Sequence, residues 1–119
     1  MICYDLRFPV WSRNRDEFEL LVYVANWPSR RRQAWHTLLK ARAVENLCYC
    51  AGVNRLGADG TGVEYLGDTM AFDFLGQPLF EKSEGPFVQT VALARAALDD
   101  YRSSFPAHMD ADRFDIHIQ

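Results

Sequence analysis

The sequence feature that most constrains the fold is the unbroken apolar run Leu20-Leu21-Val22-Tyr23-Val24-Ala25. Charged residues precede this run, and Pro28 follows it closely. A short continuous apolar segment rich in β-branched residues is typical of a strand buried on both faces, as in a parallel sheet. We therefore expect residues 20–25 to form such a strand in an α/β domain.

A second apolar segment opens the chain at residues 1–3 and changes abruptly to charge at Asp5. We interpret it as the end of a strand that turns into a helix, with Pro9 in a first turn that tolerates its missing N–H. Residues 10–18 mix aromatic and charged side chains, which predicts a short amphipathic helix. A strand, a helix and a second strand form a parallel crossover unit.

The loops that follow these two strands contain Cys3, Asn26 and Trp27. In open α/β sheets, ligands bind at the carboxyl ends of the strands, so the two loops should meet at one site. Asn26 and Trp27 are therefore candidate substrate-binding residues. The alternatives are a turn residue for Asn26 and an ordinary packed aromatic for Trp27.

Cys3 is the candidate nucleophile because it lies at the expected corner between strand and helix. The positive end of a helix dipole and the nearby Arg7 would both favour the thiolate over the thiol. The alternative is a structural cysteine, since free cysteines are among the most buried residues and pack as small hydrophobic side chains.

The longest predicted element is a helix from about residue 30 to residue 47. Its apolar stripe consists of Trp35, Leu38, Leu39 and Ala43. Arg42 and Glu45 project from the same face, and buried charges are rare unless paired. We expect them to bind each other or backbone groups beneath the site, either to orient the catalytic groups or as architecture. His36 is expected on the helix surface without a partner.

Turn residues and propensities predict the remaining elements. In order, they are a buried strand at 48–54, a turn-rich loop at 57–67 that could form the pocket rim, a hairpin at 69–80, a strand at 86–93, a helix at 94–102 and an extended polar arm after Pro106. Cys48 and Cys50 are expected to be buried thiols. Neither this pair nor the His and Asp residues of the arm indicate a metal site, and no cofactor is expected.

Composition bounds the possible functions. The chain has 119 residues, 49% of them hydrophobic, which predicts one domain over residues 1–119. A net charge of −3 gives no general attraction to nucleic acid or to an anionic membrane surface. No apolar stretch approaches the ~18 residues of a membrane span, and the first residues lack the layout of a secretion signal. Three cysteines, an odd number, favour a cytoplasmic location over a disulfide framework.

Three separate motifs carry a resemblance to a known family. They are Cys3-Tyr4-Asp5-Leu6-Arg7-Phe8-Pro9, Ala25-Asn26-Trp27-Pro28 and Lys40-Ala41-Arg42-Ala43-Val44-Glu45-Asn46. In this order and spacing, they resemble the second half of a nitrilase-superfamily carbon–nitrogen hydrolase. The segment Asn26-Trp27-Pro28, the loop 57–60 and the tail 105–112 are most similar to the omega-amidase branch of bacterial enzymes.

The resemblance implies the C-terminal half of an α-β-β-α sandwich that hydrolyses the amide of a small dicarboxylic acid monoamide. Cys3 would attack the amide carbon to form a thioester, and the backbone N–H of Tyr4 would stabilise the oxyanion together with the family's lysine. Arg7 is a candidate to bind a substrate carboxylate, and its alternative role is an internal ion pair with Asp5.

The family resemblance also implies that other parts are needed. In the family, the part before the cysteine strand supplies the Glu and Lys of a Glu-Lys-Cys triad. We therefore expect an enzyme that is inactive as this chain alone and that forms a homodimer or pairs with a separate N-terminal half. The alternative is an inactive half-domain or interaction module. A Cys-His-Asn hydrolase is disfavoured, because the motif around Cys3 belongs to another mechanism.

Overall fold

Six strands and two helices organise residues 1–82 and 84–117, which a computed structural model describes. The strands are β1 (Leu20–Ala25), β2 (Tyr49–Asn54), β3 (Leu56–Ala58), β4 (Glu64–Leu66), β5 (Thr69–Phe72) and β6 (Pro78–Lys82), and the helices are α1 (Arg32–Glu45) and α2 (Arg95–Ser104). Short 3-10 turns cover Cys3–Arg7, Pro9–Ser12, Ser29–Arg31 and Ala107–Asp110. One four-stranded sheet has the order β1-β2-β5-β6, and β3 pairs with β4 separately.

Strands β1 and β2 lie parallel and are joined by helix α1, which confirms the predicted α/β class. In their register, Leu21 lies opposite Cys50 and Val24 lies opposite Val53. Ile2 adds a parallel bridge to Val24 at the outer side of β1. The carboxyl ends of β1 and β2 therefore lie at one edge of the sheet, next to the residue that precedes Cys3.

Strands β5 and β6 form the predicted hairpin. The carboxylate of Asp73 closes its turn by accepting the backbone N–H of Leu75 at 2.9 Å and that of Gln77 at 2.8 Å. Gly76 adopts a φ of 76°, a left-handed conformation that glycine reaches without a steric penalty.

The core lies between helix α1 and one face of the sheet. Trp35, Leu39 and Ala43 are each 0% exposed, which confirms the predicted apolar stripe. The sheet residues packed with them are Leu21, Tyr23, Cys50, Met70 and Phe72. Helix α2 forms a second, smaller cluster through Leu98. Among the described helices, none combines the length and apolar character needed to cross a membrane.

The opposite face of the sheet is apolar but exposed, so the expectation that β1 is buried on both faces is wrong for this chain. Leu21 and Tyr23 are 7% and 0% exposed, whereas Val22 and Val24 are 39% and 51% exposed. Val53, which lies opposite Val24 on the neighbouring strand β2, is 49% exposed. Alternate residues of a strand point to opposite faces, and helix α1 covers only one of them.

The amphipathic helix predicted over residues 10–18 is also wrong. Only the 3-10 turn Pro9–Ser12 forms there. The side-chain oxygen of Asn14 accepts the backbone N–H of Glu17 at 2.9 Å, and Asp16 adopts a φ of 65°. A side chain that binds nearby backbone N–H groups competes with a helix, and a left-handed residue interrupts one.

Two further predictions need correction. Residues 57–67 are not a loop throughout, because β3 and β4 pair there as an antiparallel hairpin. Residues 86–93 form no strand. Phe87 packs edge-on against Phe80 of β6, but Pro86 has no N–H to donate to a neighbouring strand and Val88 is 98% exposed, so this side-chain contact is not accompanied by strand pairing.

The close contact of α1 with β2 leads to a stability prediction for Gly52. A Cβ atom there would overlap Cδ1 of Leu39 and would lie 2.6 Å from Cζ2 of Trp35. Overpacking a core costs about 1–3 kcal/mol, so Gly52→Ala should lower the midpoint of urea unfolding. Gly60→Ala is the matched control, because no heavy atom lies within 4 Å of its new Cβ. Equal midpoints for the two variants would contradict this packing.

Candidate active site

Cys3 follows a short extended segment held against β1. The amine of Met1 donates to the carbonyl of Val22 at 3.0 Å, and the N–H of Val24 donates to the carbonyl of Met1 at 3.3 Å. The N–H of Ile2 donates to the Asp5 carboxylate at 2.8 Å. Between these anchors Cys3 adopts a φ of 41°, a left-handed conformation that costs a non-glycine residue about 1 kcal/mol. The local network holds the thiol on this turn.

The α-helix expected after Cys3 is instead the single 3-10 turn Cys3–Arg7. Its first helical hydrogen bond runs from the N–H of Asp5 to the carbonyl of Ile2 at 2.9 Å. The N–H groups of Cys3 and Tyr4 precede that bond, as at the start of any helix. The Tyr4 side chain is 62% exposed and packs edge-on against Phe8.

Cys3 is the most accessible of the three thiols. It is half-buried, whereas Cys48 and Cys50 are 0% exposed, as predicted. Burial raises the pKa of Cys48 to about 12 and also raises the pKa of Cys50, which keeps both in the thiol form. The Cys3 thiol donates to the carbonyl oxygen of Asn26 at 3.7 Å, so the two predicted loops do meet.

A concavity of about 530 Å³ opens beside this thiol at the carboxyl ends of β1 and β2. Its polar lining residues are Cys3, Asn26, Asn54 and Arg55, and its apolar ones are Ile2, Val24, Ala25 and Val53. Asn54 and Arg55 were not predicted. Their position at the end of a predicted parallel strand is the signal that could have identified them.

Asn54 ties the two strand ends together. Its side-chain oxygen accepts the backbone N–H of Trp27 at 2.7 Å, and its side-chain nitrogen donates to the carbonyl of Trp27 at 3.1 Å. The backbone N–H of Asn54 in turn donates to the hydroxyl of Thr69 at 3.1 Å. This amide therefore fixes the loop on which Asn26 faces the concavity.

The side chain of Trp27 lies in the core, only 3% exposed. Its indole N–H donates to the carbonyl of Arg31 at 2.8 Å, and its ring packs against Trp35. This environment favours the packed-aromatic alternative for Trp27, while substrate binding by Asn26 stays a prediction.

Arg7 does not line the concavity that contains Cys3. Its guanidinium carbon lies 5.1 Å from the centre of the Trp27 ring, and it faces a separate depression beside helix α1. Asp5 binds the N–H of Ile2, as described above. Within the described residues Arg7 forms no ion pair with Asp5, and carboxylate binding by Arg7 stays a prediction.

Arg42 connects helix α1 to the turn that bears the thiol. It is 3% exposed and donates from Nη1 to Glu45 at 2.8 Å and from Nη2 to the carbonyl of Leu6 at 2.6 Å. The expectation of two buried charges is wrong for Glu45, whose side chain is 42% exposed. Glu45 is the last residue of α1, where the chain leaves the helix and solvent can reach the side chain.

His36 has a neighbour that was not predicted. Its Nε2 lies 3.6 Å from Oδ1 of Asp68, the same oxygen that Arg32 binds at 2.8 Å. Asp68 is distant in sequence, which is why no local pattern reveals this contact. Within residues 1–82 and 84–117, no three His, Cys, Asp or Glu side chains lie together as a metal site would require.

These observations define an α/β domain with an accessible thiol on a strained turn beside the ends of two parallel strands. Residues 1–103 match the carbon-nitrogen hydrolase family model, and the chain belongs to the carbon-nitrogen hydrolase family.

Relatives and solved structures agree with this assignment. The chain is 48% identical over 115 residues to the omega-amidase YafV of Escherichia coli K12, covering 96% of this chain and 45% of that protein. It is 35% identical over 114 residues to a 2-oxoglutaramate amidase of Bacillus subtilis, covering 92% and 43%. XC1258 of Xanthomonas campestris, a CN-hydrolase superfamily protein solved with an arsenic adduct in its active site, superimposes with a TM-score of 0.94 at 50% identity, covering 98% and 47%. The chain thus spans about half the length of the curated relatives it matches.

Thiol accessibility gives the first prediction for this site. Brief iodoacetamide treatment of the folded chain at about pH 8 should alkylate Cys3 well before Cys48 or Cys50, because burial keeps the latter two protonated and out of reach. Peptide mapping measures the labelling. The same treatment in denaturant is the control and should label all three cysteines; preferential labelling at Cys48 or Cys50 in the folded chain would refute the assignment.

A second prediction concerns the connection made by Arg42. Arg42→Ala should lower the free energy of unfolding by about 1–3 kcal/mol, because it leaves the carbonyl of the fully buried Leu6 without its partner. Arg95→Ala is the matched control: this arginine also pairs with carboxylates, but its side chain is 67% exposed, so the change should stay within about 0.5 kcal/mol. Chemical denaturation of both variants compares them, and similar losses would count against a supporting role for Arg42.

Proposed function

We propose that this chain carries the nucleophile of an amidase that hydrolyses small monoamides of dicarboxylic acids. The observation that carries the proposal is the accessible Cys3 thiol beside a concavity at the carboxyl ends of β1 and β2. Membership of the carbon-nitrogen hydrolase family supports the reaction class. The names of two relatives, an omega-amidase and a 2-oxoglutaramate amidase, support the substrate class.

In the proposed reaction, the Cys3 thiolate attacks the amide carbon and a C–S bond forms. The C–N bond breaks, the nitrogen takes up a proton, and ammonia leaves behind a thioester. Water then attacks the thioester carbon, the C–S bond breaks, and the carboxylic acid and the free thiol are released. No cofactor is needed for either step.

The negative oxygen of each tetrahedral intermediate requires hydrogen-bond donors. We assign one of them to the backbone N–H of Tyr4, which precedes the first hydrogen bond of its 3-10 turn. A donor of this kind contributes about 10²–10³-fold to the rate. Because the donor is a backbone group, the exposed side chain of Tyr4 can be replaced without removing it.

The catalytic base and lysine of this proposal come from outside the described concavity. Among the described residues that line it with Cys3, none has a carboxylate or an ammonium group. The sheet face above it is apolar and exposed, with Val24 51% and Val53 49% accessible. We therefore propose that a second polypeptide segment, the N-terminal half of an α-β-β-α sandwich, covers this face and supplies the Glu and Lys; a homodimer of such units is the expected assembly.

The alternative function is an interaction module without turnover. The same apolar face supports it, because a binding partner could cover that face without supplying catalytic groups. Mass measurement after treatment with a thiol-selective substrate analogue separates the two: an acyl adduct on Cys3 supports the amidase, and an unmodified Cys3 supports the module. A cytoplasmic location, favoured by three unpaired thiols, stays a prediction.

The amidase proposal predicts little ammonia release by this chain alone. Loss of general acid–base help typically costs 10²–10⁴-fold in rate. Addition of the separately expressed segment of a full-length relative that this chain does not match should restore turnover of dicarboxylic monoamides. Ammonia release measures the rate, and Cys3→Ala in the same mixture should abolish it.

Two results would contradict the proposal. Robust turnover by the chain alone that depends on Cys3 would mean that the catalytic base lies within it, with His108 and His117 the first residues to replace. An assembled mixture that releases no ammonia from any monoamide of the panel would remove the amidase assignment itself.

A further inference from the structure

Arg55 lies directly after β2 and lines the same concavity as Cys3. Its backbone is held on both sides: its N–H donates to the carbonyl of Ala25 at 3.2 Å, and its carbonyl accepts the N–H of Gly67 at 3.0 Å. These bonds join the end of β1 to the end of the β3–β4 hairpin. The Cα of Arg55 is therefore fixed relative to the strand end next to the thiol.

The side chain of Arg55 rests on an ordered platform. Its guanidinium carbon lies 4.8 Å from the centre of the Tyr65 ring, and Nη2 donates to the carbonyl of Ala58 at 3.3 Å. Tyr65 is only 9% exposed, and its hydroxyl donates to Asp59 at 2.8 Å. A cation stacked on a fixed aromatic ring loses less side-chain freedom when it binds an anion.

The hydrogen bonds of the nearby Asp59 carboxylate come from residues other than Arg55. Asp59 accepts hydrogen bonds from the backbone N–H and the hydroxyl of Thr61, from the N–H of Val63 and from Tyr65. Within the described chain, Arg55 forms no ion pair, and it is the one charged side chain among the described residues that line this concavity. A positively charged residue thus lines the concavity beside the thiol.

The Tyr65 ring on which Arg55 stacks also lies within electrostatic range of the Cys3 thiol. The pKa of Tyr65 lies above its ordinary value, chiefly because its hydroxyl binds Asp59 and is desolvated, and a thiolate at Cys3 acts in the same direction. Arg7, the arginine suggested by the sequence, instead lies over the buried ring of Trp27 and faces another depression. Geometry therefore favours Arg55 over Arg7 as the cation of this site.

We propose that Arg55 binds the free carboxylate of the substrate, at the end remote from the amide that Cys3 attacks. The planar guanidinium can bind a carboxylate through two parallel N–H bonds, which a neutral amide of the same length cannot form. Arg55 thereby selects monoamides of dicarboxylic acids over uncharged amides. This inference rests on the proposed function of the same concavity and names the residue that sets its specificity.

The experiment uses this chain and needs no amide turnover. Two reagents of equal length alkylate Cys3: N-carboxyethyl iodoacetamide, which carries a carboxylate, and N-propyl iodoacetamide, which does not. In each case the thiolate displaces iodide, one S–C bond forms and one C–I bond breaks. We expect Cys3 to react about tenfold faster with the carboxylate reagent, as a charge-assisted hydrogen bond predicts. Arg55→Gln should remove this preference, by slowing the carboxylate reagent more than the neutral one.

Two further variants keep the test decisive. Arg55→Lys retains the charge without the two-pronged geometry and should keep part of the preference. Arg13→Gln is the matched control, because Arg13 also stacks on an aromatic ring, Phe114, at 5.0 Å but lines a different cavity; it should leave both rates unchanged.

The inference is overturned if the wild-type chain shows no preference, if Arg55→Gln keeps it, or if that substitution slows both reagents equally. The last result would mark Arg55 as a structural residue. Arg7→Gln tests the alternative carboxylate-binding residue. If this variant loses the preference for the carboxylate reagent and Arg55→Gln keeps it, Arg7 binds the carboxylate instead. Alkylation reports carboxylate recognition without ammonia release, so failure of this test leaves the amidase proposal standing. Likewise, a failure to release ammonia leaves carboxylate recognition by Arg55 to be decided by alkylation.

Discussion

The close approach of helix α1 to β2 is the contact on which the candidate site depends. It is possible only because Gly52 has no side chain: a Cβ atom there would overlap Leu39 and Trp35. At this separation, Arg42 near the end of α1 reaches the carbonyl of Leu6 within the turn that begins at Cys3. The position of the Cys3 thiol thus depends on the packing of α1 against β2, although neither element contains Cys3. Core packing transmits position in this way because protein interiors have few voids that could absorb a shift.

The site itself is built where two parallel strands end. Asn54 binds both backbone groups of Trp27, and Arg55 binds the carbonyl of Ala25 through its N–H, so the loop after β1 is held by the residues after β2. Side chains on such paired ends keep a defined separation because the sheet hydrogen bonds set it. This explains how residues far apart in sequence, Cys3 and Arg55, come to line one concavity.

The sheet is asymmetric in burial but not in composition. One face of β1 is covered by α1, while Val22 and Val24 on the other face are 39% and 51% exposed although they are as apolar as a core strand. An exposed apolar face of this kind is typical of an interface. The same face borders the Cys3 concavity, in which the described residues provide neither a carboxylate nor a lysine. Both observations support the proposal that a second segment completes the sheet packing and the chemistry together.

Elements with a strong local pattern were predictable from the sequence. The apolar run 20–25, the stripe of α1 and the turn around Gly76 each produced the expected element, because periodicity and turn chemistry act over a few residues. The helix predicted over residues 10–18 does not form, and the reason is also local. The Asn14 side chain accepts the backbone N–H of Glu17, and this bond competes with a helix. The strand predicted at 86–93 failed because an apolar segment forms a strand only where a neighbour can pair with it.

For the candidate site, the sequence by itself determined Cys3 and the two loops that meet at Asn26, since both follow predicted parallel strands. Only the tertiary structure decided which arginine lines the Cys3 concavity, whether Trp27 is buried and which member of the Arg42–Glu45 pair reaches solvent. Those outcomes depend on strand register and on how a helix end sits against a turn. Such contacts join residues distant along the chain, and no short stretch of sequence contains both partners.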